Sequence, residues 1–506
     1  MARKTFAAAA LVGVALVALP AAGQGLRYAE DLAPAIVNPL FTTTMSEARV
    51  NELLFSGLYT DDQDLATSPA LVAYASLADD QLSMELSLKP DLRWHDGQPV
   101  TADDVVFTIE AMRDDDTLST EAGRVSWIDE ATAVDSGTVR LTFTTPQATP
   151  EDKLYFKILP RHAFDSTTVS RSDAFRTNPV GSGPYRLARF NDDNSISFTP
   201  HSTFDGGVGI SELVMREVSD KNYQAKLLLY ESLEALVRVL PRDLAVLQNN
   251  RKVELYPYQT NSWWYVGFNL ERAPFDDVRV RSALSMLIDV DALLAPVGTG
   301  EVLSGPFVKS SPFYNHDVPY DGYDPGEASR LLQEAGFDNS SGAWMRDGEA
   351  LTFTLNAHQT LESSQEVVIN LQSQLQNHGV EVSVDFLDEA AWKSRVWRER
   401  DFDAILSQWS FDRNEDVREQ LHSDGLRNFG GYESERVDEL LDTARDASDP
   451  FAKKAALREL HAVVAQDQPM IFLWTLDSYA ALSTRVSDVV IHPFYFFTFV
   501  NQWRMN

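Results

Sequence analysis

KPDLRWHDGQPVTADDVVFTIEAM, residues 89–112, holds the end of a strand, a tight turn and a capped helix in one run. Just upstream, Leu82, Met84, Leu86 and Leu88 alternate with Ser83, Glu85 and Ser87, the period of a half-buried strand. Asp96-Gly97 supplies the turn, because glycine tolerates the positive φ of a tight reversal. Thr101 and Asp104 stand at capping-box spacing, with Asp in place of the usual Glu. Val105, Ile109 and Met112 then give the helix one apolar face. The run is a β-turn-α unit and carries no chemistry of its own.

Composition bounds what surrounds this unit. At 506 residues the chain exceeds one ordinary core and divides into two or three domains. The formal charge is −32, with acid spread along the whole chain as a solvated surface. That argues against nucleic acid and anionic membrane as partners. Cysteine is absent, so disulfides, thiolate nucleophiles, Cys-ligated metals and a lipid-bearing lipobox cysteine are all excluded. At the start, Arg3 and Lys4 precede a short apolar run, Ala7 to Leu19, followed by Pro20-Ala21-Ala22-Gly23. This is the layout of a cleaved secretory signal over residues 1–23, too short for a membrane span.

Two textures follow. Residues 61–178 alternate short strands with turns at Asp61-Asp62, Asp96-Gly97 and Ser136-Gly137, an α+β texture. A helix is expected over Asn51–Tyr59, ending at Gly57, and strands over Ala235–Val239 and the aromatic-rich Val253–Asn269. From Phe275 the pattern becomes α/β. Asp324-Pro325 and Asp449-Pro450 each place an N-cap before a first-turn proline. Gly336 and Gly379 stop the helices that begin near Pro325 and Ser364, and Val380 to Phe386 alternates as a strand. This half predicts a partly parallel sheet with helices on both faces.

Three runs, Lys89–Met112, Gly181-Ser182-Gly183-Pro184-Tyr185 and Phe275-Asp276-Asp277-Val278-Arg279-Val280-Arg281-Ser282-Ala283-Leu284, together carry a resemblance. They resemble signatures of the peptide/nickel class of extracellular solute-binding proteins, family 5, which deliver ligands to ABC importers. The resemblance spans the chain beyond the signal. It implies an α/β, two-lobe periplasmic binding protein fold (type II-like, cluster C) with an additional small α+β domain. The expected first lobe is discontinuous, 24–60, 179–269 and 480–506; the small domain is 61–178 and the second lobe 270–479. One departure is Glu231-Ser232-Leu233-Glu234-Ala235, where the family usually shows Gly-Glu-x-Asp-Ala.

Enzyme motifs are missing: no Gly-x-Ser-x-Gly elbow, no His-Glu-x-x-His and no P-loop lysine. No catalytic residue, metal ligand or cofactor is expected. The ligand-binding candidates lie in three segments. In Ser262–Asn269, Trp263, Trp264 and Tyr265 line a strand with one face to pack and one to meet ligand. Ser407–Asp416 holds a Trp-x-x-Asp core that resembles the loop of dipeptide- and oligopeptide-binding members. The resemblance implies that Asp412 pairs with a peptide α-ammonium and that Trp409 is a neighbouring wall. A buried ammonium needs such a charge partner or desolvation defeats binding. Glu415-Asp416 replaces the family's Asp-Pro, so either acid is an alternative anchor, and Arg413 is a candidate for a ligand carboxylate or an internal ion pair. Phe41, Thr42 and Met45 lie where the family lines the cleft, in a loop whose competing reading is a plain connection.

The expected protein is therefore a periplasmic, lipid-free, monomeric substrate-binding component. It captures a short peptide or related amine-bearing solute by lobe closure and hands it to an ABC permease in the inner membrane. The alternatives are an oligosaccharide or metal-chelate binder of the same fold and, further off, a secreted hydrolase.

Overall fold

The computed structural model describes residues 25–506 except 360, 362, 412–414 and 448; the signal expected at 1–23 lies outside the described residues. The run that opened the reading folds as strand Ser83–Leu88, turn, and helix Ala102–Arg113. Gly97 takes φ 87°, the left-handed region that favours glycine. Asp104 is only 3% exposed. Its Oδ2 accepts the Thr101 N–H (2.7 Å) and the Trp94 indole N–H (3.2 Å), and its Oδ1 accepts the Arg161 N–H (2.7 Å). The short Asp thus caps the helix and pins the preceding turn and a distant loop. Asp104→Ala strands these donors, and we expect a loss of about 2–4 kcal/mol, read as a lowered urea midpoint. The helix covers a four-stranded antiparallel sheet ordered Val72–Leu77, Ser83–Leu88, Thr138–Phe143, Ile128–Asp135.

The Gly181-Ser182-Gly183 turn joins this module to the rest. Its backbone lies against the end of helix Met45–Leu54, with the Gly183 N–H donating to Leu54 O (2.8 Å). The Gly181 N–H donates to His95 Nδ1 (3.1 Å), and the His95 N–H returns to Gly181 O (2.8 Å). That helix is misplaced in the sequence reading, which sets it at Asn51–Tyr59. A capping box fixes the earlier start: the Glu47 N–H donates to Thr44 Oγ1 (3.2 Å) and the Thr44 N–H to Glu47 Oε2 (3.1 Å). Gly57 lies in extended chain instead, where a Cβ would come within 2.9 Å of Tyr155 O.

The first large sheet runs Val253–Gln259, Trp474–Ser483, Ala235–Leu236, Gly25–Glu30, Glu212–Glu217, Ile196–Pro200, Tyr185–Phe190. The second runs Glu381–Leu387, Thr352–His358, Ala404–Ser410, Ser262–Phe268, Met470–Phe472, with the first three strands parallel. Strand alternation divides its two faces. Trp264, Val266 and Phe268 pack into one apolar core with helix Ser364–Asn377; Trp263 and Tyr265 pack into another with helices Glu435–Asp446 and Pro450–Asp467. This is the expected mixed α/β fold. In the Phe275–Leu284 run, the buried Arg281 donates to Phe275 O (2.7 Å), Asp467 O (2.5 Å) and Gln468 O (2.7 Å). It satisfies the carbonyl end of the long helix with a cation.

The two sheets share one antiparallel ribbon. Val253–Gln259 pairs with Trp474–Ser483 in the first sheet, and Ser262–Phe268 pairs with Met470–Phe472 in the second. The chain passes between them at residues 260–261 and at Leu473. By hydrogen bonding, Ser262–Phe268 therefore lies in the second sheet, although the expected first-lobe range runs to 269. The first sheet takes Trp474–Ser483 although the expected second lobe runs to 479.

Candidate functional site

Of the candidate residues, those of the Ser262–Phe268 and Ala404–Ser410 strands lie beside this crossing, and most are packed rather than open. Trp263, Trp264 and Tyr265 are each 3% exposed or less. Trp263 stacks on Phe411 with centroids 5.7 Å apart, and Trp264 stacks on Trp474 at 5.9 Å. Trp264 packs into the core around helix Ser364–Asn377, and the ring stacked on it, Trp474, comes from 210 residues further along. Tyr265 lies parallel to Trp409, 6.2 Å between centroids and 7° between planes. Burial pushes its phenol far above the ordinary range. Trp409 is half-buried, and Phe429 tilts against it at 5.7 Å with the Arg427 guanidinium 5.8 Å over its ring.

Asp412 and Arg413 lie outside the described residues, but both flanks of their loop are placed. The Phe411 N–H donates to Asn261 O (2.7 Å), so the loop leaves the second sheet at the inter-sheet crossing. On the other side Glu415 is buried with φ 49°. Asp416 is exposed, and its Oδ1 accepts the Arg418 N–H (3.0 Å) at the start of a short helix.

The loop at Asn38–Met45 is less open than its sequence implied. Asn38 Oδ1 accepts the Leu40 N–H (3.0 Å), closing a 3-10 turn over Pro39–Phe41. Phe41 is buried with the Arg171 guanidinium 5.2 Å over its ring. Leu40 O already accepts the Thr120 N–H (2.9 Å) and the Ser119 hydroxyl (3.0 Å); Thr42 O accepts the Thr120 hydroxyl (3.2 Å). The Thr42 hydroxyl donates to Pro39 O (3.2 Å) and accepts from Asn51 Nδ2 (2.9 Å). Thr42 therefore stabilises the loop, and its hydroxyl is already engaged. Met45 differs: as the first residue of its helix it is 59% exposed.

One charged group at this end escaped the sequence reading. Glu30 closes the first strand and is buried, and Arg49 donates to both of its oxygens (2.6 and 2.7 Å). Tyr28, two residues upstream, has a buried hydroxyl without a hydrogen-bond partner among the described residues. Burial, with Glu30 nearby, holds that phenol well above its ordinary range. Neither residue belongs to a motif. Only the pairing of Gly25–Glu30 with its neighbours brings Glu30 to Arg49.

Comparison with known proteins bears on this arrangement. Residues 63–424 match the family described as bacterial extracellular solute-binding proteins, family 5 middle. Protein XP55 of Streptomyces lividans is 28% identical over 451 residues, 86% of this chain and 81% of the relative. The oligopeptide-binding protein AppA of Bacillus subtilis is 24% identical over 488 residues, 91% and 88% of the two chains. Its structure in complex with a nonapeptide superposes with a TM-score of 0.78 at 23% identity, covering 95% of this chain and 99% of that one. The ABC transporter substrate-binding protein CtaP of Listeria monocytogenes shares the fold with a TM-score of 0.85 at 21% identity, covering 95% and 99%. The chain belongs to the bacterial extracellular solute-binding proteins of family 5, and it is a substrate-binding component of an ABC importer rather than an enzyme.

Proposed function

We propose that this protein captures a short peptide, or a related solute with a free amine, between its two sheets and presents it in a closed form to its permease. The observation that carries the reading is the position of Phe411, the residue before the acidic run. Phe411 is bonded to Asn261 where the ribbon passes from one sheet to the other, and the acidic run follows it directly in sequence. An ammonium held there meets negative charge at the place where bending of the ribbon brings the walls together. Ligand that bridges the walls shifts the population toward the closed form. In this reading the lobes divide at 260–261 and 473, Asp412 is the ammonium anchor, and Trp409 is the adjoining wall. Asp416 already accepts the Arg418 N–H, which favours Asp412 over it. AppA, a relative over most of its length, is named for oligopeptide binding.

The oligosaccharide alternative needs indole faces for sugar rings. Trp263 and Trp264 have theirs against Phe411 and Trp474, which leaves Trp409. We further propose export through a cleaved signal at residues 1–23 and a monomeric, lipid-free form in the periplasm.

A thermal-shift screen of the protein beginning at residue 24 tests this reading, since ligand bound to the native state raises the melting temperature. Di- and tripeptides are expected to stabilise it, and Asp412→Ala to weaken their binding about 100-fold or more. Stabilisation by oligosaccharides alone, equal in the Asp412→Ala variant, would contradict it.

A further inference from the structure

Tyr265, Trp409, Phe429 and Trp397 form one series of ring contacts. Tyr265 and Trp409 lie parallel with centroids 6.2 Å apart. Phe429 meets Trp409 at 5.7 Å, and Trp397 stacks on Phe429 at 5.8 Å with 16° between planes. Phe429 is buried and joins two indoles that both reach solvent, Trp409 half-buried and Trp397 51% exposed. Trp397 therefore bears on the proposed wall through a ring that solvent does not reach.

The backbone at Trp397 is built to deliver that ring. Residues Lys393–Arg398 form a π-helical turn, and the Glu399 N–H donates to Ser394 O five residues back (2.9 Å). The Ser394 hydroxyl closes the same turn on Glu399 Oε1 (2.6 Å). Such wide turns are rare and concentrate at functional sites. Val396 is fully buried and fixes the turn, which lays the next side chain on Phe429. The wall is held loosely on another side. A cavity of about 20 Å³ is lined in part by Trp409, Phe429 and Gln420, and Gln420 Oε1 is buried without a hydrogen-bond partner among the described residues. A ring beside a void lacks dispersion contacts on that side, so the rings stacked on it must fix its tilt.

We propose that Trp397 is a positioning residue for solute binding: through Phe429 it sets the tilt of the Trp409 indole. The inference rests on the peptide reading above and deepens it. An aromatic wall next to an ammonium anchor favours a solute whose residue nearest the amine carries an aromatic side chain. Offset-stacked and edge-to-face contacts both depend on the relative tilt of the two rings, so a wall that rocks loses that preference while the amine is still held.

The test is calorimetric titration with Phe-Gly-Gly and with Gly-Gly-Gly, which share their amine and carboxylate and differ by one ring. Wild type is expected to bind Phe-Gly-Gly about 10-fold more tightly. Trp397→Ala should cut that preference to about 2-fold or less with triglycine affinity unchanged, and Trp397→Phe should keep it. Phe429→Leu should act as Trp397→Ala does, and the two together should add nothing further, because they break one series of contacts. Trp397→Leu, which keeps bulk without a ring, replaces the Ala variant if that one does not fold, with the same result expected. A full preference in Trp397→Ala, or equal weakening of both peptides, would overturn the positioning role while peptide binding stands. So would equal binding of the two peptides by wild type. Binding of neither peptide overturns both readings.

Discussion

Gly181→Ala is expected to destabilise the protein by more than about 4 kcal/mol, enough to leave little native material at 37 °C. A Cβ at this position would stand 1.8 Å from Leu54 O and 2.7 Å from Leu54 C. Both are backbone atoms at the end of a helix, so no side chain can swing aside. The turn must retreat as a unit, breaking the Gly183–Leu54 hydrogen bond and the two-way bonding between Gly181 and His95. Gly183 faces the same wall, with Leu53 O at 2.6 Å. The Gly-x-Gly-Pro-Tyr run is thus a contact between backbones, and its glycines are set by space. Gly123→Ala is the control: nothing lies within 4 Å of its Cβ position, and its backbone has no positive φ. Its effect should stay within about 0.5 kcal/mol. Urea unfolding measures both. A Gly181→Ala midpoint equal to that of Gly123→Ala would mean the close approach does not exist in solution.

Stability should also fall steeply as the pH drops from 6.5 toward 4. His461 is fully buried, accepts the Asn315 N–H at Nδ1 (3.1 Å) and meets Ser304 Oγ through Nε2 (3.1 Å). Burial lowers its pKa to about 4, with His316 adding a smaller push in the same direction. Burial likewise lowers His95 to about 3, where Nδ1 accepts the Gly181 N–H and Nε2 meets Gly183 O (3.2 Å). Both imidazoles are held neutral in the fold, whereas the unfolded chain protonates them near pH 6.5. Between that value and the folded pKa the unfolded state carries more protons, so stability is full above 6.5 and is lost as the pH falls. At pH 4.5 each group costs about 2 kcal/mol. Carboxylates lowered by burial-opposing partners act in the same direction but lower in pH, as at Asp277 beside Arg279. Relief of repulsion within a chain of charge −32 works the other way. The discriminating quantity is therefore the change between pH 7 and 4.5 in wild type minus that in His461→Gln. A difference of about 2 kcal/mol is expected; none would show that His461 titrates normally.

Features set by neighbours in sequence were legible. The 89–112 unit, the Asp-Pro helix starts at 324 and 449 and the glycine stops at 336 and 379 all depend on one turn of chain or less. The start of helix Met45–Leu54 is equally local: the Thr44/Glu47 box announces it four residues before the span Asn51–Tyr59 that the sequence reading assigns. The site was much less legible because it is made of distant pairings. Which face of the strand Trp264 packs on cannot be read until Trp474 is laid against it. The loop holding Thr42 reads as either a cleft lining or a plain connection until Ser119 and Thr120, near 80 residues away, occupy the Leu40 and Thr42 carbonyls. The inter-sheet crossing depends on Ser262–Phe268 pairing with strands about 140 and 200 residues downstream. No period or motif within the strand encodes which sheet it joins.

The central claim is capture of a solute through its free amine at the crossing between the lobes. Its most direct test is calorimetric titration of the wild-type protein with one tripeptide in two forms, free and N-acetylated, at equal concentration and salt. Acetylation removes the positive charge and leaves the side chains in place. The account predicts binding of the free form and a loss of about 100-fold or more on acetylation. Equal affinity for both forms would contradict it.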